Sequence, residues 1–197
     1  LEAGQLEDEV RQAASVALDC EPLLALIERL GVIVAGGQRR GMLHLAASQL
    51  TSGASAHERA WFVPLVAARA AAHAFFASLR ALMAQSLQRD DAHGRGDPSD
   101  THLLRLDDTS RRLPAWSVTL GAWRTLDTAV RALASCAREA AAAVRVAEGG
   151  TKPLAHHGLA VELMGVAARL DRAADDGSRA LTPATDEHDV CWLRVPY

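Results

Sequence analysis

From Trp61 to Leu87 the large apolar residues fall at three- and four-residue steps, through Leu65, Ala68, Ala72, Phe75, Phe76, Leu79, Leu82 and Met83. That is the period of one helical face, and it predicts a long helix from about Ser55 to Arg89. Ser55 stands where a cap belongs, with Glu58 three residues on as the second half of a capping box. Pro64 lies within the run and either kinks the helix or sits in its first turns. The same period predicts a second long helix from about Ala115 to Val146, stopped by Gly149-Gly150 and Pro153. A third, His156 to Ala174, carries Leu159, Leu163, Val166 and Leu170 at steps of four, three and four. Shorter helices are expected at Leu6 to about Val16, with Glu7, Asp8 and Glu9 in its first turn, and at Leu23–Leu30, between Pro22 and Gly31. Gly36-Gly37 reads as a hinge, followed by a helix from Gln38 to Leu50 that turns Met42, Leu43, Leu45, Ala46 and Leu50 inward.

Between these runs the pattern changes. Asp90–Thr101 is polar and rich in turn formers, a loop, and Asp175–Asp186 reads as a polar linker. His102–Leu106 reads as a short strand, and Val190–Val195 as an apolar strand rich in β-branched and aromatic residues. The expected fold is therefore mainly α: an antiparallel helical bundle with one or two short strands near its base, and no internal repeat.

Composition refines this picture. Aromatic residues make up only 4% of the 197, so alanine and leucine must fill most of the core, and small side chains let helices approach closely. The formal net charge is −3, so contact with nucleic acid has to come from a local basic stripe and not from the surface as a whole. Cys20, Cys136 and Cys191 are too scattered for a Cys-x-x-Cys metal site and read as buried thiols in a reducing, cytoplasmic setting. There is no basic-then-apolar signal segment and no uninterrupted apolar run of ~20 residues, so no membrane partner is expected. A chain beginning at Leu1 is expected to be part of something longer.

The segment Glu2-Ala3-Gly4-Gln5-Leu6-Glu7-Asp8-Glu9-Val10 resembles the DEAH box of DinG/XPD-type superfamily 2 DNA helicases running into the Leu-Glu-Asp that often follows it. Leu113-Pro114-Ala115-Trp116-Ser117 with Ala122-Trp123 is similar to a stretch of the helical insertion, or arch, of bacterial DinG-like enzymes. Val190-Cys191-Trp192-Leu193 resembles the strand by which that arch returns to the first motor domain. The resemblance implies residues 1–5 as the remnant of the box, 6–187 as a helical arch-like domain, and 188–197 as the returning strand. It implies single-stranded DNA as partner, guided or clamped beside flanking motor domains. It implies a parent that binds ATP and Mg²⁺, with this segment itself not catalytic. An iron–sulfur cluster in the parent is left open.

In such a box the Asp holds Mg²⁺ through water, the Glu activates the attacking water and the His couples hydrolysis to the nucleic acid. Only Glu2 matches its role; Leu1 and Gly4 stand in place of the Asp and the His, and leucine offers a hard cation no oxygen. No Gly-x-x-x-x-Gly-Lys-[Ser/Thr] loop occurs, so nucleotide would be bound by flanking polypeptide.

Candidate DNA contacts are arginines. Arg124, Arg131, Arg138 and Arg145 recur every seven residues, so they share one flank of the second long helix. Arg131 also has Asp127 four residues before it. Such a stripe either tracks phosphates or is a solvated charged face. Arg111-Arg112 lies just ahead of a helix start, where backbone donors assist anion binding; the alternative is an exposed loop pair. Trp116 and Trp123, seven apart, are read as core before base-stacking, as are Trp61 and Trp192. Adjacent His156 and His157 cannot share a metal from one helix face, His44, His57 and His73 show no ligand pattern, and no metal site is expected. The rival reading of the whole chain is a helical interaction or scaffolding module without nucleic-acid binding.

Overall fold

Five of the expected helices and both expected strands are present in the computed structural model, which describes residues 20–50, 52–92, 102–106, 108–148, 154–182 and 192–195. The expected Leu6–Val16 helix lies outside them. Helix α1 (Cys20–Leu30) carries Pro22 in its first turn and buries Leu23, Ile27 and Leu30 at steps of four and three. A small hairpin follows. Strand β1 (Val32–Ile33) pairs antiparallel with β2 (Arg39–Arg40) around a short 3-10 turn, Ala35–Gly37. Gly36 and Gly37 hold φ of 80° and 76° there, which glycine adopts without strain.

Helix α2 (Met42–Ser48) is seven residues long, where a helix from Gln38 to Leu50 was expected. Arg39 and Arg40 are instead the second strand of the hairpin, and Gly41, at φ 111°, breaks the backbone between strand and helix. Met42, Leu43 and Ala46 face inward as expected, whereas Leu45 is 52% exposed. The shorter helix presents a narrower buried face.

Helix α3 (Ala54–Ala92) is 39 residues long, about 58 Å at the usual rise. Its first turn is closed by the Gly53 carbonyl, which accepts from Ala56 and His57 N–H. Gly53, at φ 71°, takes the cap position expected of Ser55, and Glu58 is directed elsewhere. Pro64 sits three turns inside α3 and leaves the Ala60 carbonyl without its helical donor. By length and composition α3 would cross a bilayer, with half of the relevant stretch buried in the bundle; a core helix has the same two properties.

Strand β3 (His102–Arg105) leads through α4 (Asp108–Arg111) into α5 (Pro114–Glu148), and α6 (Leu154–Leu181) follows. Pro114 at the first position of α5 costs no hydrogen bond, because that N–H would have no helical acceptor. Strand β4 (Trp192–Val195) pairs antiparallel with β3 from His102↔Val195 to Arg105↔Trp192.

Helix α5 is the centre of the bundle. It packs along α3 on one side and α6 on the other, and α1 and α2 bridge the outer two. Thr119 Oγ1 donates to the Ser78 carbonyl, and Gln85 Oε1 accepts from the Ala115 N–H. Rising numbers on one helix thus meet falling numbers on the other, so α3 and α5 are antiparallel. Arg131 with Asp175 and Arg138 with Asp171 give the same sense for α5 and α6. The fold is mainly α, as expected. Alanines 134, 137, 140 and 141 of α5 are buried at its seams together with Leu126, Val130, Leu133 and Val144, which is how so few aromatics suffice.

Residues 175–181 were expected to be linker but belong to α6. Gly177 lies directly beneath the Trp123 indole: a Cβ built on it would stand 2.1 Å from Cη2 and 2.6 Å from Cζ2 and Cζ3. Trp123 is 5% exposed and meets Phe75 edge-on, centroids 5.2 Å apart. The tertiary seat for the indole keeps Asp-Asp-Gly-Ser helical against its turn-forming composition.

Candidate nucleic-acid interface

The corner where α4 becomes α5 is built by three short-range hydrogen bonds: Arg112 N–H to Thr109 O, Leu113 N–H to Ser110 O and Trp116 N–H to Leu113 O. This tight winding brings Arg111 back over Trp116, its guanidinium carbon 5.9 Å from the indole centroid. A cation at that distance from an aromatic face is attracted by the ring quadrupole. The Nε of Arg111 is buried and, among the described residues, has no hydrogen-bond partner. Arg112 points to solvent. The backbone donors expected to help at this helix start are already used: Pro114 has none, Ala115 donates to Gln85 and Trp116 to Leu113. Anion contact at this corner rests on side chains.

A cleft of about 440 Å³ opens beside the corner, between α5 and the end of α6. Arg111, Trp116, Arg124, Asp127, Thr128 and Ser178 are among the residues lining it. Two arginines and an indole edge therefore share one open surface with hydroxyl groups. Trp116 is half-buried and available on one side, whereas Trp123 and Trp61 are core residues. The side chains of Trp192, His156 and His157 lie outside the described residues, as does Glu2.

The four arginines at heptad spacing do lie along one flank of α5, and it is the flank that looks towards α6. Arg131 donates through Nε to Asp127 (2.9 Å) and through Nη2 to Asp175 (2.8 Å). The Asp175 hydrogen bond is the main reason its guanidinium is held above its ordinary pKa. Arg138 donates to Asp171 at 2.5 Å. Arg124 and Arg145 are exposed, and among the described residues neither is in an ion pair. The middle of the stripe is thus neutralised by α6. Its ends keep their charge, and Arg124 joins Arg111 and Trp116 at the cleft.

A second polar cluster has no counterpart among the sequence expectations. Glu58 of α3 bonds His44 Nδ1 of α2 through Oε1 (2.7 Å) and accepts from Arg39 of β2 through Oε2 (3.3 Å). Arg39 also lies over the Phe62 ring, 5.3 Å from its centroid. An open cleft of about 560 Å³, lined by Arg39, Arg40, His44 and Glu58, surrounds the cluster. Among the described residues, no serine, threonine or cysteine lines it. The sequence carries no sign of this cluster, because the three residues meet only through the hairpin that displaced the expected Gln38–Leu50 helix.

The hydrogen bond from His44 is the largest cause holding the Glu58 carboxyl below the usual glutamate range; the His44 and Arg39 charges add to it, and burial opposes them. A depressed carboxylate contributes stability that is present above its unfolded pKa, about 4.3, and is lost as pH falls through the lower folded value. Urea midpoints taken between pH 5 and pH 3 should therefore fall more steeply for the native chain than for Glu58→Gln. The variant should be about 1 kcal/mol weaker near pH 6, from its lost charge-assisted bonds. Parallel pH profiles for the two proteins would show that the cluster contributes nothing.

Among the described residues no group of three or more histidine, cysteine, aspartate or glutamate side chains is placed to hold a metal ion. Cys20 and Cys136 are half-buried free thiols, and burial is the first cause pushing both thiol pKa values up, away from the thiolate that reactive cysteines need. No protein-family model, curated protein or solved structure matches the chain.

Proposed function

We propose that this chain is a helical arch-like segment of an ATP-dependent DNA helicase of the DinG/XPD type, and that it guides single-stranded DNA past the α4–α5 corner. The observation that carries the reading is the Arg111 guanidinium over Trp116 at an open cleft that Arg124 also lines. Single strands are held by cations that follow the phosphates and by flat groups on which bases stack, with little sequence preference. Arg111, Arg112 and Arg124 supply the first, and the open side of Trp116 the second. The motif-like segments at residues 2–10, 113–123 and 190–193 support the same assignment by resemblance. In this reading ATP and Mg²⁺ are bound by flanking motor domains, and the segment itself is a guide, not a catalyst.

The test is fluorescence anisotropy with labelled single-stranded DNA on the parent enzyme and its Arg111→Ala/Arg112→Ala variant. The variant should bind at least ten-fold more weakly at low salt. Its log–log salt slope should shrink by about 1.4, since each single-strand phosphate contact contributes about 0.7. Equal affinities and equal slopes would remove the corner from the DNA path.

One observation favours a second reading, a helical interaction module without nucleic-acid binding: Asp127, Asp171 and Asp175 already occupy Arg131 and Arg138. The same titration separates the two, because the module predicts no salt-dependent binding of the native protein at all.

A further inference from the structure

Both carboxylate oxygens of Glu58 are in use, Oε1 with His44 and Oε2 with Arg39. Glu58 therefore fixes the groups beside it and has little left to offer a ligand. Arg39 is held a second time by the Phe62 ring. Its Nε is buried and, among the described residues, has no hydrogen-bond partner, the mark of a missing acceptor. Arg40, next along β2, is exposed, and among the described residues it is in no ion pair. Leu45 lines the same cleft and is 52% exposed, although its neighbours Leu43 and Ala46 on α2 are core residues. Preset donors, one unpaired cation and an apolar wall thus meet in one open cleft.

Charge narrows the class of ligand. Two arginines and one glutamate line the cleft, which leaves a single net positive charge for a monoanion to balance. The Glu58 carboxyl is held below the usual glutamate range, first by the His44 hydrogen bond, so it is ionised and only accepts. The proton of that bond is then on Nδ1, and a neutral imidazole keeps a lone pair at Nε2. A second anionic oxygen finds no donor there. Size narrows the class further. At about 560 Å³ the cleft is as large as many small-molecule sites, and a carboxylate fills little of it. Leu45 is the one large apolar side chain that lines it, enough for a short aliphatic body. A nucleic-acid strand fits poorly, because it brings a charge with every nucleotide to a cleft with one unpaired cation. The cleft is also remote from the α4–α5 corner: Glu58 stands about 40 Å along α3 from Gln85, which meets the start of α5.

We infer that the cleft lined by β2, α2 and Glu58 binds an aliphatic monocarboxylate, with the head group on Arg40 and Arg39 and the body along Leu45. The planar fork of a guanidinium matches the two oxygens of a carboxylate. Glu58 is a positioning residue. It holds Arg39 and His44 in place, and it lowers the charge of the site by one, so that carboxylates are preferred to phosphate monoesters, which carry nearly two charges at neutral pH. A free aliphatic acid and the carboxylate end of a peptide share this chemistry. The inference does not depend on the nucleic-acid reading.

Nuclear magnetic resonance titration of the whole chain, without DNA, tests it. Hexanoate should shift the Gly37, Arg40 and Gly41 amides and the Leu45 methyls along one saturable curve. Acetate, which has the head alone, should bind at least ten-fold more weakly, and hexyl phosphate should also bind more weakly than hexanoate. Arg40→Gln should weaken hexanoate about ten-fold, the loss expected for one charge-assisted bond. Leu45→Ser should bring hexanoate down to the level of acetate and leave acetate as it was. Both residues are exposed, so both variants keep the fold. In Glu58→Gln the site gains a positive charge, and hexyl phosphate should overtake hexanoate; equal weakening of the two probes would reduce Glu58 to a structural part and overturn its role in selection. A leucine-ended peptide that binds more tightly than hexanoate, and loses the advantage on amidation, identifies a chain end as the source of the carboxylate; a peptide that binds no better identifies a free acid. Hexanoate that leaves these residues unshifted would overturn the proposal. So would hexyl phosphate or an oligodeoxythymidylate that binds the native cleft more tightly than hexanoate does.

Discussion

Gly177→Ala should destabilise the protein by about 3 kcal/mol, although the same change in the middle of an open helix would add about 1 kcal/mol. The sign is inverted because a Cβ at this position would stand 2.1 Å from Trp123 Cη2. The indole cannot retreat, since its other face is held edge-on by Phe75 and it is almost fully buried. Overpacking a close-packed core costs 1–3 kcal/mol, and losing part of the indole's burial adds to it. Urea unfolding followed by far-ultraviolet circular dichroism gives the value as a shift in midpoint at constant m. In a Trp123→Leu background the seat is already empty, and Gly177→Ala should become neutral or stabilising. That reversal is a coupling of more than 2 kcal/mol between residues in contact. A destabilisation of equal size in both backgrounds would mean that Gly177 matters for its backbone and not for the indole above it.

The second large effect is expected at Gly41. Its φ is 111°, and an added Cβ would lie 2.6 Å from Gly31 Cα and 2.7 Å from the Leu30 carbonyl oxygen. Both neighbours are backbone, so no side-chain rotation relieves the overlap. Backbone strain of 1–3 kcal/mol and the displacement of α1 from α2 together put Gly41→Ala at about 4 kcal/mol. Two comparisons localise the cause. Gly36→Ala has the strain but, among the described residues, no neighbour within 4 Å, and should cost about 1 kcal/mol. Gly31→Ala meets mainly the Phe62 and Leu65 side chains, which can shift, and should fall between. If Gly36→Ala and Gly41→Ala cost the same, the contact between the two glycine backbones is not what holds the hairpin against α1.

These two glycines also show where reading the chain stops short. The long helices were legible because Trp61 to Met83 and Leu159 to Leu170 repeat a helical face over many turns, and no local feature competes with such a signal. Strand β4 was legible from the β-branched and aromatic content of Val190–Val195, whereas His102–Arg105 holds no residue of either kind. What failed was decided by partners distant in sequence. Asp175 to Leu181 looks like a linker by composition and is helix because Trp123 needs Gly177. Arg39 and Arg40 look like the start of a helix and are strand because Gly41 turns the backbone against Gly31. Glu58 looks like half of a capping box and instead bonds His44, since Gly53 serves as the cap.

The candidate interface divides in the same way. Heptad spacing correctly placed Arg124, Arg131, Arg138 and Arg145 on one flank of α5. It gave no hint that this flank faces Asp171 and Asp175, which turns half of a prospective phosphate track into an internal seam. Arg111 and Trp116 were singled out separately, one for charge and one for packing. Their stacking depends on the tight turns at residues 109–116, whose bonding pattern leaves no trace in composition.

The β3–β4 ladder sets His102 opposite Val195, so the strand that leads towards the α5–α6 pair and the strand that follows it run side by side, about 4.8 Å apart. The chain thus enters and leaves this helix pair at one end of the bundle. Because the two helices are antiparallel, equal insertions of seven residues near the far end, after Arg145 and before Leu159, would push the tip outward by about 10 Å and leave the ladder, the Trp123 seat and the α4 corner where they are. Unequal insertions would slide one helix along the other and unseat the indole. The length of the helix pair is therefore free to vary only in matched steps, while the end beside the β3–β4 ladder stays fixed.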